Sequence, residues 1–241
     1  MNEKLCLITG GGSGIGRATA IKFAQNKINT IIVGRRNDAL EETVSLADEN
    51  SDFLKPVKAD LSTENGINDL FNYVKKNFDS NVNILVNNAG SSSKIRSVAH
   101  IPKNQWDEVI NINLNSVYLL CQKFLNDMIK NKDGTIITIS SMAALKPGLL
   151  GGAPYGAAKA GVTNLMGAIN SEFSNDGIRA TAIMPGEVDT PILNNRAKIP
   201  NIDERETMMK PEDLAEIVFL TANLNNRTNI ETIVVLSLIH I

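Results

Sequence analysis

Short runs rich in β-branched and apolar residues recur along this chain, and helical stretches lie between them. The runs span residues 4–9, 30–34, 55–60, 84–87, 135–140, 179–184 and 232–236. Continuous apolar runs of this length belong to strands covered on both faces of a parallel sheet. Helical periodicity occupies 15–26, 38–50, 63–78, 104–130, 154–175 and 211–224. Such alternation, with right-handed crossovers, predicts an α/β doubly wound sheet of about seven mostly parallel strands with helices on both faces. No linker, repeat or composition break divides the chain, so one domain over residues 1–241 is expected. Irregular stretches at 90–103 and 185–210 follow the carboxyl ends of strands, where open α/β sheets bind ligands. The second is long enough to act as a lid over about 187–212.

Composition narrows the partners. The chain has 241 residues, 43% hydrophobic and 21% charged, enough for one large core. A net charge of −2 and no basic stripe argue against nucleic acid. No apolar run reaches the ~18 residues of a membrane span. The start, MNEKLCLITG, ends its apolar run in a glycine turn, unlike a signal peptide. A cytoplasmic protein is expected. Cys6 and Cys121 read as reduced core residues. His100 and His240 stand apart, so no metal site is expected.

The first strand leads into TGGGSGIGRA, with Gly10, Gly14 and Gly16 spaced G-x-x-x-G-x-G. No frame fits G-x-G-x-x-G, but the physical logic is shared. Glycines permit a tight turn, a pyrophosphate against the backbone and a helix close to its strand. The helix then offers free N–H groups and a partial positive charge. A Walker loop is excluded, because Arg17 and Ala18 follow the second glycine where Lys and Ser or Thr are needed. A nucleophile elbow around Ser13 fails because Ile15 stands at its second glycine. The second strand ends IIVGRRND. An acidic residue there would favour NAD. Arg35 and Arg36 follow Gly34 instead, and guanidinium forks match a 2′-phosphate, so NADP is expected over NAD. The alternative is one arginine stacked on adenine and the other solvated.

Tyr155 and Lys159 stand four apart in YGAAK. On a helix that places both on one face, ~5–6 Å between Cβ atoms. A free phenol titrates near ~10, and a nearby ammonium favours the phenolate. A drop of ~3 units needs about 4 kcal/mol. Lysine is therefore expected to tune Tyr155 for proton transfer near neutral pH. Chance spacing of two ordinary helix residues is the competing reading.

The pieces have an order: TGGGSGIG, Asp60-Leu61, NNAG ending at Gly90, Asn113, Ser141, Tyr155 with Lys159, then PGEVDTP from Pro185. This order resembles the classical short-chain dehydrogenase/reductase family over nearly the whole chain. The resemblance implies a Rossmann-like fold and hydride transfer between a nicotinamide and a carbonyl carbon. It implies that Gly10, Ser13, Gly14, Ile15 and Gly16 wrap the pyrophosphate. Asp60 would bind the adenine amino group, with Leu61 adding a backbone contact. Asn87, Ala89 and Gly90 would shape the fourth strand's end. Pro185, Gly186, Val188 and Thr190 would hold the carboxamide. Tyr155 would be the acid and base, and Lys159 would also hold the ribose. Ser141 would bind the substrate oxygen, with Ser140 the alternative. Asn113 would hold a relay water.

The substrate end is less defined. Its candidate walls, 91–96, 145–154 and 187–198, mix Leu145, Leu149 and Leu150 with Lys94, Arg96 and Glu187. A small or medium alcohol or carbonyl compound is expected. Fatty-acid 3-oxoacyl reductases share this core, but most carry a glycine-containing segment after the last strand, where this chain reads TIVVLSLIHI. The apolar tail 236–241 has no assigned role. The helices over 104–130 and 154–175 resemble those of the family's four-helix interfaces, implying a homodimer or homotetramer. A non-catalytic dinucleotide sensor is the rival function. A sugar-nucleotide epimerase would need a longer carboxyl-terminal region.

Overall fold

The computed structural model describes residues 4–196 and 198–239. His240 and the last residue of the apolar tail, Ile241, lie outside them. The chain runs β1 (Leu5–Thr9), α1 (Gly14–Gln25), β2 (Asn29–Gly34), α2 (Asn37–Ser45), β3 (Leu54–Lys58), α3 (Glu64–Asn77) and β4 (Val82–Asn87). It continues α4 (Lys103–Ile110), α5 (Ser116–Asn131), β5 (Gly134–Ile139), α6 (Ala153–Phe173), β6 (Ile178–Pro185), α7 (Ile202–Glu206), α8 (Pro211–Ala222) and β7 (Thr232–Val235).

One seven-stranded sheet has the order β3-β2-β1-β4-β5-β6-β7. Every pairing in it is parallel, not merely most of them. Side chains alternate between its faces, as the strand period of two requires. Leu5, Leu7, Leu85 and Ile136 meet Ile67 of α3, Phe124 of α5 and Met166 of α6. Cys6, Ile8, Ile84 and Ile137 meet Phe23 of α1 and Leu214 and Val218 of α8. Both cysteines are buried and unpaired. The order reverses between β1 and β4, and the cleft at their carboxyl ends is the place such sheets bind ligands.

Three stretches differ from the sequence-based expectation. The helix expected over 104–130 is interrupted by a π-helical turn, Asn111–Asn115. There the buried Asn113 side chain donates to Val109 O at 2.8 Å and to Ser91 O at 2.9 Å. A side chain competing for helix carbonyls widens the turn locally. The helix expected over 38–50 ends at Ser45, and a 3-10 turn, Asp48–Phe53, begins at a left-handed Asp48. The loop after β6 contains the short α7. Its start is a capping box: Glu204 N–H donates to Asn201 Oδ1 and Asn201 N–H to Glu204 Oε2, both at 2.8 Å. Past the edge strand β7, Leu238 and Ile239 are exposed.

Candidate active site

The glycine turn is braced from two sides. Thr9 Oγ1 accepts from the N–H groups of Asn88 and Ala89 at 2.9 and 3.0 Å, and Asn88 Nδ2 donates to Thr9 O at 2.9 Å. The end of β4 is thereby sewn to the end of β1. Arg17 donates to Gly12 O at 2.7 Å and pairs with Glu42 at 2.6 Å. Thr43 Oγ1 donates to Gly11 O at 2.9 Å. The residue that excluded a Walker loop is thus a strut to α2. Gly10 and Gly14 have φ of 69° and 53°, conformations that favour glycine. A Cβ on Gly16 would collide with the Gly10 carbonyl oxygen and with Asn88 Nδ2. Ser13, at the N-cap of α1, makes no capping bond with its side chain.

A cavity of about 450 Å³ opens over these strand ends. Gly10, Ser13, Gly14 and Ile15 line one end of it. Asn113, Ser141, Tyr155 and Lys159 line the same cavity, as do Pro185, Gly186, Val188 and Thr190. Ala89 and Gly90 border it, together with Asn88. Asn87 does not. As the last residue of β4 its side chain turns under the sheet, where Nδ2 reaches Cys121 Sγ at 3.7 Å and Thr138 Oγ1 at 3.4 Å. Gly16 lies behind the turn, packed on Gly10.

A different group stands past the ends of β2 and β3. Arg35 and Arg36 are exposed after β2, and among the described residues neither side chain makes a hydrogen bond or ion pair. Asp60 is exposed too, with Oδ1 accepting from Ser62 Oγ at 2.7 Å and Ser62 N–H at 3.0 Å. The Ser62 bonds and then the Arg35 charge hold its carboxyl below the ordinary value. Leu61 is buried in the core below.

The two serines separate cleanly. Ser140 Oγ donates to Lys159 O at 3.0 Å and shares a 2.8 Å bond with Thr163 Oγ1, locking α6 to the end of β5. Ser141 faces Tyr155 and accepts from Ala143 N–H at 3.1 Å. Lys159 is buried, with Nζ 5.5 Å from the Tyr155 ring centre and donating to Ile139 O at 2.7 Å. Burial brings the lysine down to about 8. It pushes the Tyr155 phenol up, against hydrogen bonding from Ser141 and then the charges of Arg196 and Arg96. The lysine ammonium is held on a main-chain oxygen, and the charges of Arg196 and Arg96 also act on the phenol. Asn113 Oδ1 is buried without a partner among the described residues. A Cβ on Gly90 would stand 2.7 Å from that oxygen and 3.7 Å from Lys159 Nζ, so these three groups meet.

At the substrate end, Arg96, Lys146, Leu150, Glu187, Leu193 and Arg196 line the cavity. Leu145 and Leu149, expected there, are exposed outside it. Arg196 pairs with Glu187 at 2.5 Å. Asp189 accepts from Arg205 at 2.9 Å and Lys210 at 3.2 Å, bonds that tie the 187–212 segment together.

A family model described as short chain dehydrogenase matches residues 4–200. This chain belongs to the short-chain dehydrogenase family. An uncharacterised oxidoreductase of Bacillus subtilis, YxbG, is 33% identical over 82% of this chain and 71% of its own. The 3-oxoacyl-[acyl-carrier-protein] reductase FabG of Thermotoga maritima is 31% identical over 92% of both. Among solved structures, a metagenomic short-chain oxidoreductase in complex with NADP superposes with a TM-score of 0.83 at 26% identity, covering 97% of this chain and 96% of its own. The 3-ketoacyl-(acyl-carrier-protein) reductase from Brucella melitensis complexed with NADH gives 0.86 at 27%, covering 97% of each.

Sequence reasoning about this short-chain dehydrogenase missed Asn88 and Arg196. The NNAG doublet was the available signal for Asn88. Arg196 sits in a non-periodic loop, where no sequence pattern ties it to Tyr155. Among the described residues no helix is long and apolar enough to cross a membrane, and no group of His, Cys, Asp and Glu could hold a metal ion.

Proposed function

We propose that this short-chain dehydrogenase interconverts an alcohol and a ketone or aldehyde, preferring NADPH, with Tyr155 as general acid and base. One observation carries the reading: Tyr155, Ser141 and Lys159 open into the same cavity as the glycine turn. The nicotinamide, when bound, supplies or accepts the hydride. Tyr155 gives a proton to the carbonyl oxygen in reduction and removes it in oxidation. Ser141 donates a hydrogen bond to that oxygen as negative charge develops. Lys159 holds ribose hydroxyls with the donors that Ile139 leaves. The unpartnered Asn113 oxygen beside it suits a water that relays protons.

The glycine turn fits a pyrophosphate because backbone, not side chain, lines it. Gly10, Ser13, Gly14 and Ile15 hold it there, and Gly16 keeps α1 close behind. Asp60 and Leu61 receive the adenine. Pro185, Gly186, Val188 and Thr190 orient the carboxamide, and the segment 187–212 covers the substrate as a lid. NADPH preference rests on the unpaired guanidinium groups of Arg35 and Arg36 and on relatives solved with NADP. Helices α5 and α6 are the surfaces we assign to a homodimer or homotetramer. A monomeric mass by light scattering would contradict that.

The similarity to the Thermotoga reductase favours a second reading, a 3-oxoacyl thioester as substrate. One assay separates them. Purified protein is offered ketones, aldehydes, alcohols and a 3-oxoacyl thioester with NADPH or NADH, and the nicotinamide absorbance is followed. Turnover of free carbonyl compounds supports the first reading. Turnover of the thioester alone selects the second. Nucleotide binding with no turnover leaves a non-catalytic sensor.

A further inference from the structure

The cavity beside Tyr155 is lined by more positive than negative groups. Arg96, Lys146, Lys159 and Arg196 face it, and among the described residues Glu187 is its one carboxylate. Glu187 is engaged by Arg196 at 2.5 Å, so each already has its partner. Lys159 is held by the main chain of β5. Arg96 remains. Its Nε donates to Ser93 O at 3.3 Å, and among the described residues its two terminal nitrogens have no hydrogen-bond or acidic partner.

Arg96 is also firmly placed. Its main-chain oxygen accepts from Ala153 N–H at 3.3 Å, in the first turn of the helix that carries Tyr155. A Cβ on Gly152, whose φ is 82°, would come within 2.9 Å of Arg96 Cβ. The backbone of residue 96 is therefore tied to the start of the helix that carries the phenol. Burial, and then the charge of Arg196, disfavour the charged guanidinium, and an arriving anion offsets both. An unpaired, half-buried guanidinium offers a planar pair of donors that matches a carboxylate.

We propose that the substrate is an oxo acid or hydroxy acid, and that Arg96 binds its carboxylate while Tyr155 and Ser141 address its carbonyl or hydroxyl oxygen. This inference rests on the oxidoreductase reading and deepens it. Arg96 is a specificity residue here: it touches the substrate's anionic group and takes no part in proton transfer. An ester or amide of the same acid would leave the guanidinium desolvated and unpaired, the situation in which polar sites discriminate most strongly.

The test uses matched pairs: a 2-oxo acid and its methyl ester, and a 3-oxo acid and its methyl ester, each reduced with NADPH. The wild type should favour one acid over its ester in kcat/KM by about tenfold or more. Arg96→Met should lower kcat/KM for that acid by about ten- to a hundredfold, mainly through KM, and lower it far less for the ester. Arg96→Lys should recover part of the loss. A wild type that prefers the esters, or an Arg96→Met variant that loses both members equally, overturns the proposal. The wild-type ratio alone decides if the variant does not fold. Reduction of neutral ketones only refutes the carboxylate and leaves the oxidoreductase reading standing. No turnover of any carbonyl compound fells both.

Discussion

The Lys159 ammonium donates to the main-chain oxygen of Ile139 at 2.7 Å while lying 5.5 Å from the centre of the Tyr155 ring. A buried cation is thus anchored to the end of β5 at the very place where the sheet opens. Among the described residues one protein oxygen solvates this buried ammonium, so the arrangement costs stability.

Replacing that cation should therefore stabilise the fold while ending catalysis. Burial lowers Lys159 from 10.5 to about 8, which corresponds to about 3 kcal/mol of cost to the folded state at pH 7. The unfolded chain binds the proton between those two values and the folded chain does not, so wild-type stability rises with pH across that window. Lys159→Met, which also forfeits the bond to Ile139, should gain about 1–2 kcal/mol at pH 7. Denaturant titration should find the gain shrinking at about pH 9.5. An equal gain at both pH values would contradict the assignment of the cost to charge burial.

Cofactor choice is assigned to Arg35 and Arg36. Exchanging both for serine should raise KM for NADPH about tenfold and leave that for NADH nearly unchanged. The ratio of kcat/KM for the two cofactors is the readout. An unmoved ratio would mean the arginines only flank the adenine.

Gly16 is where the helix meets the strand end most closely. Gly16→Ala should cost about 1–3 kcal/mol through displaced backbone and weaken NADPH binding with it. Thermal unfolding and a fluorescence titration of NADPH measure the two effects. Normal cofactor affinity would show that the close approach is not needed.

The proposed lid is tied by Asp189 to Arg205 and Lys210. Burial alone would raise that carboxyl, but the Lys210 and Arg205 bonds and charges prevail and hold it below its ordinary 3.8. These ties are present above that value and are lost only as pH falls through the still lower folded one. At neutral pH, Asp189→Asn should speed tryptic cleavage after Arg196 or Arg205 several-fold and raise substrate KM. Unchanged cleavage would show the segment is held by other contacts.

Most of the sheet was legible because its inner strands, buried on both faces, are apolar nearly throughout, whereas the edge strands β3 and β7 are partly exposed. The break in the helix at Asn111–Asn115 was not. There Asn113 bonds both Val109 O in the helix and Ser91 O in a distant loop, and local periodicity does not encode the second bond. Helix α7 is too short for a period, and only the Asn201 and Glu204 pair marks it. At the site, the order of motifs located the glycine turn, Ser141, Tyr155 and Lys159. The electrostatics around the phenol were hidden, because Arg96 and Arg196 reach it from loops far apart in the chain.

The central claim is proton transfer by one hydroxyl. The decisive measurement is turnover of Tyr155→Phe on the best substrate, beside its dissociation constant for NADPH. Turnover should fall by about a hundredfold or more, as loss of a general acid requires, with cofactor affinity close to wild type. Turnover within a few-fold of wild type would contradict it.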